Sequence, residues 1–133
     1  MRIKQIAMDY NLKIISITKG NIEKYSKKYE IEKNDLKNNA YVINDEDIIL
    51  GLYEDQEVKR AAFFHELGHT LVTESYEKMV NNDEMLIEFQ AWIEGLKVAK
   101  KYKYEFSHKT FRYILKSINS YYKGALNVYN IKK

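Results

Sequence analysis

The sequence predicts an α+β fold in which a short three-stranded sheet, antiparallel or mixed, precedes a helical C-terminal half. Runs of β-branched and aliphatic residues, separated by polar turn residues, occur within the first 52 positions. From about Asp55 onward, apolar residues recur every three or four positions, which is the period of an amphipathic helix. With 133 residues, of which 45% are hydrophobic, the chain is predicted to form a single domain over residues 1–133.

The first half is predicted to contain two short helices and three strands. Apolar residues at helical spacing predict a helix over residues 3–10, and the β-branched run that follows predicts a strand over residues 13–18. A polar helix is expected over residues 22–29. Residues 40–43 and 48–52 flank the polar segment Asn44-Asp45-Glu46-Asp47, which is the pattern of a hairpin with a four-residue loop.

Three longer helices are predicted in the second half. The first runs from about Asp55 to Thr73, with acidic residues at its start, where they face the positive end of the helix dipole. The second begins near Asn82 or Asp83 and continues through Lys100. The third spans residues 107–122 and is expected to end at Gly124, with an apolar stripe formed by Phe111, Leu115, Ile118 and Tyr122.

Composition excludes several classes of protein. The chain contains no cysteine, so it has no disulfide framework, cysteine nucleophile or thiolate metal site, and any metal must bind His, Asp or Glu. No apolar run is long enough for a signal peptide or a membrane span, which predicts a cytoplasmic protein without membrane contact.

Charge is distributed unevenly although the net charge is only +3. Residues 97–133 carry ten basic residues against the single acidic residue Glu105, which leaves about −6 on the remainder. Such a basic stretch is most often a solvated helix face, and it also suits an acidic partner or nucleic acid.

Residues 65–69 read His-Glu-Leu-Gly-His within the predicted central helix. His65 and His69 are four residues apart, so both imidazoles project from one helical face and can bind one ion. Zinc suits neutral imidazole, and three protein ligands leave one position for water. Glu66 is predicted to lie beside that water as the general base, without binding the metal.

The third metal ligand must come from elsewhere in the chain. Val72 and Ser75 occupy the glycine and histidine positions of the extended motif H-E-x-x-H-x-x-G-x-x-H, so that form is excluded. His108 lies in a basic, polar stretch and is interpreted as a surface or partner-contacting residue.

The following helix offers a carboxylate in its place. Glu88 shares a face with Ala91 and Gly95, two small residues that would let this helix approach the first one closely, and Glu88 is the predicted ligand. Glu84, one turn earlier, is the alternative, although it is also expected to form a capping-box-like start with Asn81. Glu94 points off this face. Eight apolar residues are interpreted as packing residues of the two helices: Phe63, Phe64, Leu67, Leu71, Leu86, Phe89, Ile93 and Leu96.

The segment His65-Glu66-Leu67-Gly68-His69, followed by Glu-x-x-Ala at residues 88–91 and preceded by a strand pair, resembles the ImmA/IrrE-type metallopeptidases of bacteria, phages and mobile elements. The resemblance covers roughly residues 40–95. It implies a small zincin-like, gluzincin-type domain in which His65, His69 and Glu88 bind zinc and Glu66 is the base. Minigluzincins are a looser likeness, which rests on the motif and the small size.

Two functions follow as expectations. The first is a zinc-dependent endopeptidase, and the family resemblance implies a repressor-type transcription regulator as its substrate. The chain has no room for a helix-turn-helix module of its own, so such a regulator would be a separate partner. The second is a non-catalytic binding module that keeps the zincin scaffold and docks a regulator or nucleic acid through the basic residues 97–133.

Overall fold

The structure, a computed structural model, describes the backbone of residues 2–128 and the side chains of residues 3–121. Its elements follow in the order α1 (Arg2–Asp9), β1 (Lys13–Ser16), α2 (Ile22–Tyr29), β2 (Ala40–Ile43), β3 (Asp47–Leu50), α3 (Gln56–Leu71), α4 (Glu74–Met79), α5 (Glu84–Lys101) and α6 (His108–Val128). The predicted α+β class with a helical second half is therefore confirmed. Residues 129–133 of the predicted domain lie outside the described residues.

The sheet is mixed, which is one of the two predicted forms. Its strand order is β1-β3-β2, with β3 parallel to β1 and antiparallel to β2. The last strand in the chain therefore lies in the middle, where Ile49 pairs with Ile15 on one side and Tyr41 on the other. Within residues 2–128, β2 has a neighbour on one edge only.

The central strand is buried on both faces. Ile48 and Leu50 belong to the core formed with α1, α3 and α5, whereas Ile49 faces the opposite layer and packs with Ile15, Ile17 and Leu36. Successive side chains of a strand point to opposite faces, so a continuous apolar run requires cover on both sides.

The hairpin turn is tighter than predicted. Asn44 and Asp45 both adopt positive φ angles, of 53° and 55°, and the Glu46 amide donates to the Ile43 carbonyl at 3.1 Å. Asn and Asp tolerate this left-handed conformation better than most residues. Asp47 therefore belongs to β3 rather than to the loop.

Side-chain caps define the helix starts. Asp55 is the N-cap of α3, and its side chain accepts hydrogen bonds from the Glu57 and Val58 amides at 2.9 and 3.1 Å. At α5 the cap is Asp83, which accepts from the Leu86 amide at 3.1 Å. The predicted capping box of Asn81 with Glu84 was therefore wrong, because Asn81 lies before the cap in a left-handed turn with φ of 55°.

Two further helix boundaries differ from expectation. The short α4, capped by Thr73, was not predicted. The last helix continues through Gly124 to Val128, since glycine within a helix costs only about 1 kcal/mol and does not by itself end it. Tyr122, the last member of the predicted apolar stripe on α6, has no described side chain.

Helices α3 and α5 cross in direct backbone contact. A Cβ atom placed on Gly68 would lie 1.8 Å from the Ala91 carbonyl oxygen, and one placed on Gly95 would lie 2.0 Å from the Phe64 carbonyl oxygen. Only glycine permits so close an approach. The predicted role of small residues in bringing the two helices together holds in this geometry.

Burial agrees with most of the predicted packing residues. Phe63, Phe64 and Leu67 are fully buried in the core that α3 shares with the sheet, whereas Ile93 is 48% exposed and was wrongly interpreted as a packing residue. In the part of the chain that the structure describes, no helix has the length and hydropathy required to cross a bilayer.

Candidate metal centre

Three predicted ligands meet where α3 crosses α5. His65 and His69 lie one turn apart on α3, and Glu88 faces them from α5. The Nε2 atoms of His65 and His69 each lie 2.9 Å from a different oxygen of the Glu88 carboxylate, and the two Nε2 atoms are 3.2 Å apart. The three side chains therefore form a closed triangle of potential ligands.

The triangle can be held together in two ways. Each imidazole Nε2 carries either one proton or one lone pair. If both histidines donate to Glu88, each N–H has its own acceptor oxygen, but two donor nitrogens then lie 3.2 Å apart. A cation at the centre would remove this donor–donor contact, because all three side chains would then direct lone pairs at it.

The spacing of the two imidazoles also fits a small tetrahedral ion. Zinc bound to nitrogen and oxygen at about 2.0–2.1 Å places neighbouring ligand atoms about 3.3–3.4 Å apart. The two histidine Nε2 atoms are 3.2 Å apart, and Glu88 approaches each of them with a different carboxylate oxygen. Two imidazoles with one carboxylate also form a ligand set typical of catalytic zinc sites.

In the absence of a metal, burial and charge favour the metal-binding protonation states of His65 and Glu88, but the protonated form of His69. Burial lowers the pKa of His65, which favours its neutral form. Burial acts in the same direction on His69, but the hydrogen bond and the charge of Glu88 outweigh it and raise the His69 pKa. Burial opposes ionisation of Glu88 as well, yet its hydrogen bonds with both histidines hold its pKa well below the usual range.

Glu66 lies beside the triangle without belonging to it. Its nearer carboxylate oxygen is 3.9 Å from the His65 Nε2 atom, beyond hydrogen-bonding distance. Burial raises the pKa of Glu66 to about 7; the charge of Glu88 adds to this effect and His69 opposes it. A carboxyl group with a pKa near neutrality can both accept and return a proton, as a general base must.

The ring of His65 is held by stacking. Its centroid lies 4.2 Å from that of Trp92, with an angle of 29° between the planes. The His65 Nδ1 and Trp92 Nε1 atoms are both buried and have no hydrogen-bond partner among the described residues. The imidazole is therefore positioned by stacking on Trp92 and by the contact of its Nε2 atom with Glu88, without an acceptor at Nδ1.

A cavity of about 580 Å³ opens beside the triangle and Glu66. Asn39, Ala40 and Tyr41, at the start of β2, line it together with residues of α6. An edge strand of the sheet and a helix therefore both border the cavity.

Sequence analysis missed the cavity residues contributed by α6. Tyr113, Ser117 and Tyr121 recur every fourth residue and line the cavity, as does Tyr53 in the segment that precedes α3. Burial is the main cause that raises the pKa of Tyr53 and Tyr113, and the charge of Glu66 adds to it. Both phenols therefore keep their protons at neutral pH and can donate hydrogen bonds. The polar i, i+4, i+8 spacing on α6 was the available signal.

The other candidates of the sequence lie apart from the triangle. Glu84 is exposed and lines the cavity without joining the three ligands. Glu94 accepts hydrogen bonds from Gln90 and Lys97 on its own helix. His108 is exposed at the start of α6, in agreement with its interpretation as a surface residue.

Comparison with known proteins leaves the family open. No family model, curated protein or solved structure matches this chain. The resemblance to ImmA/IrrE-type metallopeptidases therefore stays a prediction that rests on residues 40–95.

Proposed function

We propose that this protein is a zinc-dependent endopeptidase with a zincin-like domain. The observation that carries the proposal is the closed triangle of His65, His69 and Glu88 with Glu66 beside it. Two imidazoles and a carboxylate that converge on one point, next to a carboxyl group whose pKa lies near 7, are the components of metal-assisted hydrolysis.

Zinc is the metal that this ligand set favours. Imidazole binds zinc well, and the absence of cysteine from the chain removes sulfur-dependent alternatives. His65, His69 and Glu88 would hold the ion. When bound, zinc supplies a Lewis acid that lowers the pKa of water to about 7 and polarises a peptide carbonyl.

Proton transfer is assigned to Glu66. Its carboxylate accepts the proton of the attacking water molecule and later delivers this proton to the leaving amine. Burial raises the pKa of Glu66, which makes its carboxylate a stronger proton acceptor.

The cavity walls support binding of a peptide. Tyr53 and Tyr113 offer phenol donors for the oxygen that becomes negatively charged as the carbonyl is attacked. The free edge of β2, which borders the cavity at Ala40 and Tyr41, offers backbone groups that can pair with an extended substrate. A repressor-type transcription regulator, suggested by the family resemblance, is the substrate class included in this proposal.

The test compares zinc binding with peptide cleavage. Metal-free protein is titrated with zinc by calorimetry and then assayed on a quenched fluorogenic peptide library. The parent and Glu66→Gln are expected to bind one zinc ion each, whereas the cleavage rate of Glu66→Gln falls by about 10²- to 10⁴-fold.

Glu84→Gln is the matched control because it removes a carboxylate from the same cavity without touching the triangle. It should match the parent in zinc binding. Equal cleavage rates for the parent and Glu66→Gln, or a parent that binds no zinc, would refute the proposal.

A further inference from the structure

Helices α5 and α6 carry an exposed apolar stripe on the side away from the metal centre. Ile93, Phe111 and Leu115 are 48%, 44% and 57% exposed. Phe111 and Leu115 are one helical turn apart on α6. Tyr113 and Ser117 each follow one of them by two residues and line the cavity of the metal centre. The stripe and the catalytic cavity therefore lie on different sides of α6.

The stripe continues into a recess between the two helices. A cavity of about 670 Å³ is lined by Leu96, Ala99, Tyr104, Phe106 and Phe111, together with charged residues. Leu96 of α5 and Phe111 of α6 line this recess, whereas Glu88 of α5 and Tyr121 of α6 line the cavity of the metal centre. Residue numbers therefore fall along α5 in the direction in which they rise along α6, so the two helices run antiparallel.

Two further exposed apolar residues, Ile93 and Leu115, lie beyond one end of this recess. Ile93 lies one turn before Leu96 on α5, and Leu115 lies one turn after Phe111 on α6. Because the helices are antiparallel, both residues extend the recess towards the same end. We call the surface formed by Ile93, Leu96, Ala99, Phe106, Phe111 and Leu115 the α5/α6 groove.

Positive charge predominates around the groove. Lys100, Lys103 and the acidic Glu105 line the recess, and Arg112 and Lys116 lie on the adjoining solvent-facing side of α6. The four basic side chains are exposed, and none forms a salt bridge with another residue in the described part of the chain. The groove therefore combines an apolar floor with a rim on which four cations outnumber the carboxylate of Glu105.

We propose that the α5/α6 groove binds an acidic, amphipathic segment of a separate protein. Apolar side chains of that segment cover Phe111 and Leu115, and its carboxylates face Lys100 and Lys103. An amphipathic helix laid into a groove supplies both features on opposite faces. This interaction goes beyond the proposed peptidase chemistry and does not depend on it.

The chemistry of the groove disfavours other occupants. A second copy would bring the same basic rim, so a symmetric contact would juxtapose like charges. Phosphate groups of a nucleic acid would pair with the rim but leave the apolar floor exposed. A bilayer presents a broad interface, whereas the recess between Leu96 and Phe111 accepts individual side chains.

The binding test uses a synthetic helical peptide of about 18 residues, or five turns, with Leu on one face and Glu on the other. A second peptide has the same composition in scrambled order. Fluorescence anisotropy of the labelled peptides measures the dissociation constant for each protein. The parent should bind the amphipathic peptide and bind the scrambled peptide more weakly by about tenfold or more.

Matched variants locate the binding site. Leu115→Gln and the double variant Lys100→Glu/Lys103→Glu should each weaken binding by about tenfold or more, because they remove an apolar contact and reverse the rim charge. Met79→Gln, at an apolar residue that is 71% exposed elsewhere, and Lys27→Glu/Lys28→Glu, on α2, should leave binding unchanged. Circular dichroism confirms that each variant retains its helices.

Several outcomes would overturn the inference. One is equal loss of binding in Leu115→Gln and Met79→Gln, and another is equal binding of the two peptides. The inference is also overturned if the parent does not bind the peptide but has another binding property that Leu115→Gln abolishes. Sedimentation with phosphatidylglycerol vesicles would identify a membrane as the occupant of the groove, binding of random-sequence duplex DNA a nucleic acid, and dimerisation in light scattering a second copy of the chain.

Discussion

Replacing Gly95 by alanine tests the helix crossing that brings Glu88 to the two histidines. A methyl group on residue 95 would lie 2.0 Å from the Phe64 carbonyl oxygen, whereas real Cβ atoms essentially never approach closer than 3.0 Å. At least 1.0 Å of movement is therefore required, and the obstacle is backbone rather than a flexible side chain. The two helices must separate at a point next to His65.

Two effects of opposite sign determine the expected stability. Alanine is favoured over glycine within a helix by about 1 kcal/mol. Overpacking in a core costs about 1–3 kcal/mol, and we expect about 3 kcal/mol here because the rigid α3 backbone cannot yield locally. The net loss is therefore about 2 kcal/mol, which corresponds to a decrease in Tm of roughly 8 °C for a chain of this size.

Urea unfolding and a thermal melt measure this loss, and zinc calorimetry should show weaker binding because Glu88 moves with α5. Gly20→Ala is the matched control, since a Cβ atom at that position would lie 3.8 Å from its nearest neighbour, the Thr18 hydroxyl oxygen. The control should equal the parent in stability or exceed it slightly. If Gly95→Ala were as stable as the parent, the helix crossing described above would be wrong.

Three further predictions concern the metal ligand, the acid limb of stability and a helix cap. Glu88→Gln should weaken zinc binding by more than about 100-fold in calorimetry. Loss of a residue that only hydrogen-bonds to a metal ligand weakens metal binding by about 10- to 100-fold, and loss of a ligand itself should cost more. Glu84→Gln should bind zinc like the parent. The Val58 amide and Lys109 hold the pKa of Asp55 below its usual value, so its contribution to stability is present above about pH 4 and is lost as the pH falls further. The free energy of unfolding, measured with urea, should therefore fall less for Asp55→Asn than for the parent between about pH 5 and pH 3. An equal decrease in the two proteins would contradict this assignment. Asp83→Ala should lower the unfolding free energy by about 1 kcal/mol, since the Leu86 amide loses its acceptor; an unchanged urea midpoint would show that Asp83 is not an effective cap.

The two candidate histidine ligands and Glu66 could be predicted from local interactions. His65 and His69 are four residues apart on one helix, so the helical repeat places them on the same face wherever that helix packs. The position of Glu66 beside them follows from the same repeat. The hairpin of residues 40–43 and 48–52 was also predicted, but the position of its second strand in the middle of the sheet was not.

The choice of Glu88 as the candidate third ligand depended on distant parts of the chain. Glu84 and Glu88 lie one turn apart on α5, and the helical repeat favours neither of them. The contacts of Gly68 with Ala91 and of Gly95 with Phe64 set where α5 crosses α3, and this position brings Glu88 to the histidines and leaves Glu84 exposed. A slide of one turn along α5 would have reversed the choice.

Sequence periodicity thus predicted most of the elements, the histidine pair and the carboxylate of Glu66 beside it, because each depends on residues within a turn or two of one another. Strand order, the approach of Glu88 to the histidines, the tyrosines that α6 adds to the cavity and the exposure of Ile93 came from packing between segments remote in the chain. Periodicity specifies which face of a helix is apolar or polar, but the position and direction in which that face meets its neighbours depend on side-chain and backbone fit in three dimensions.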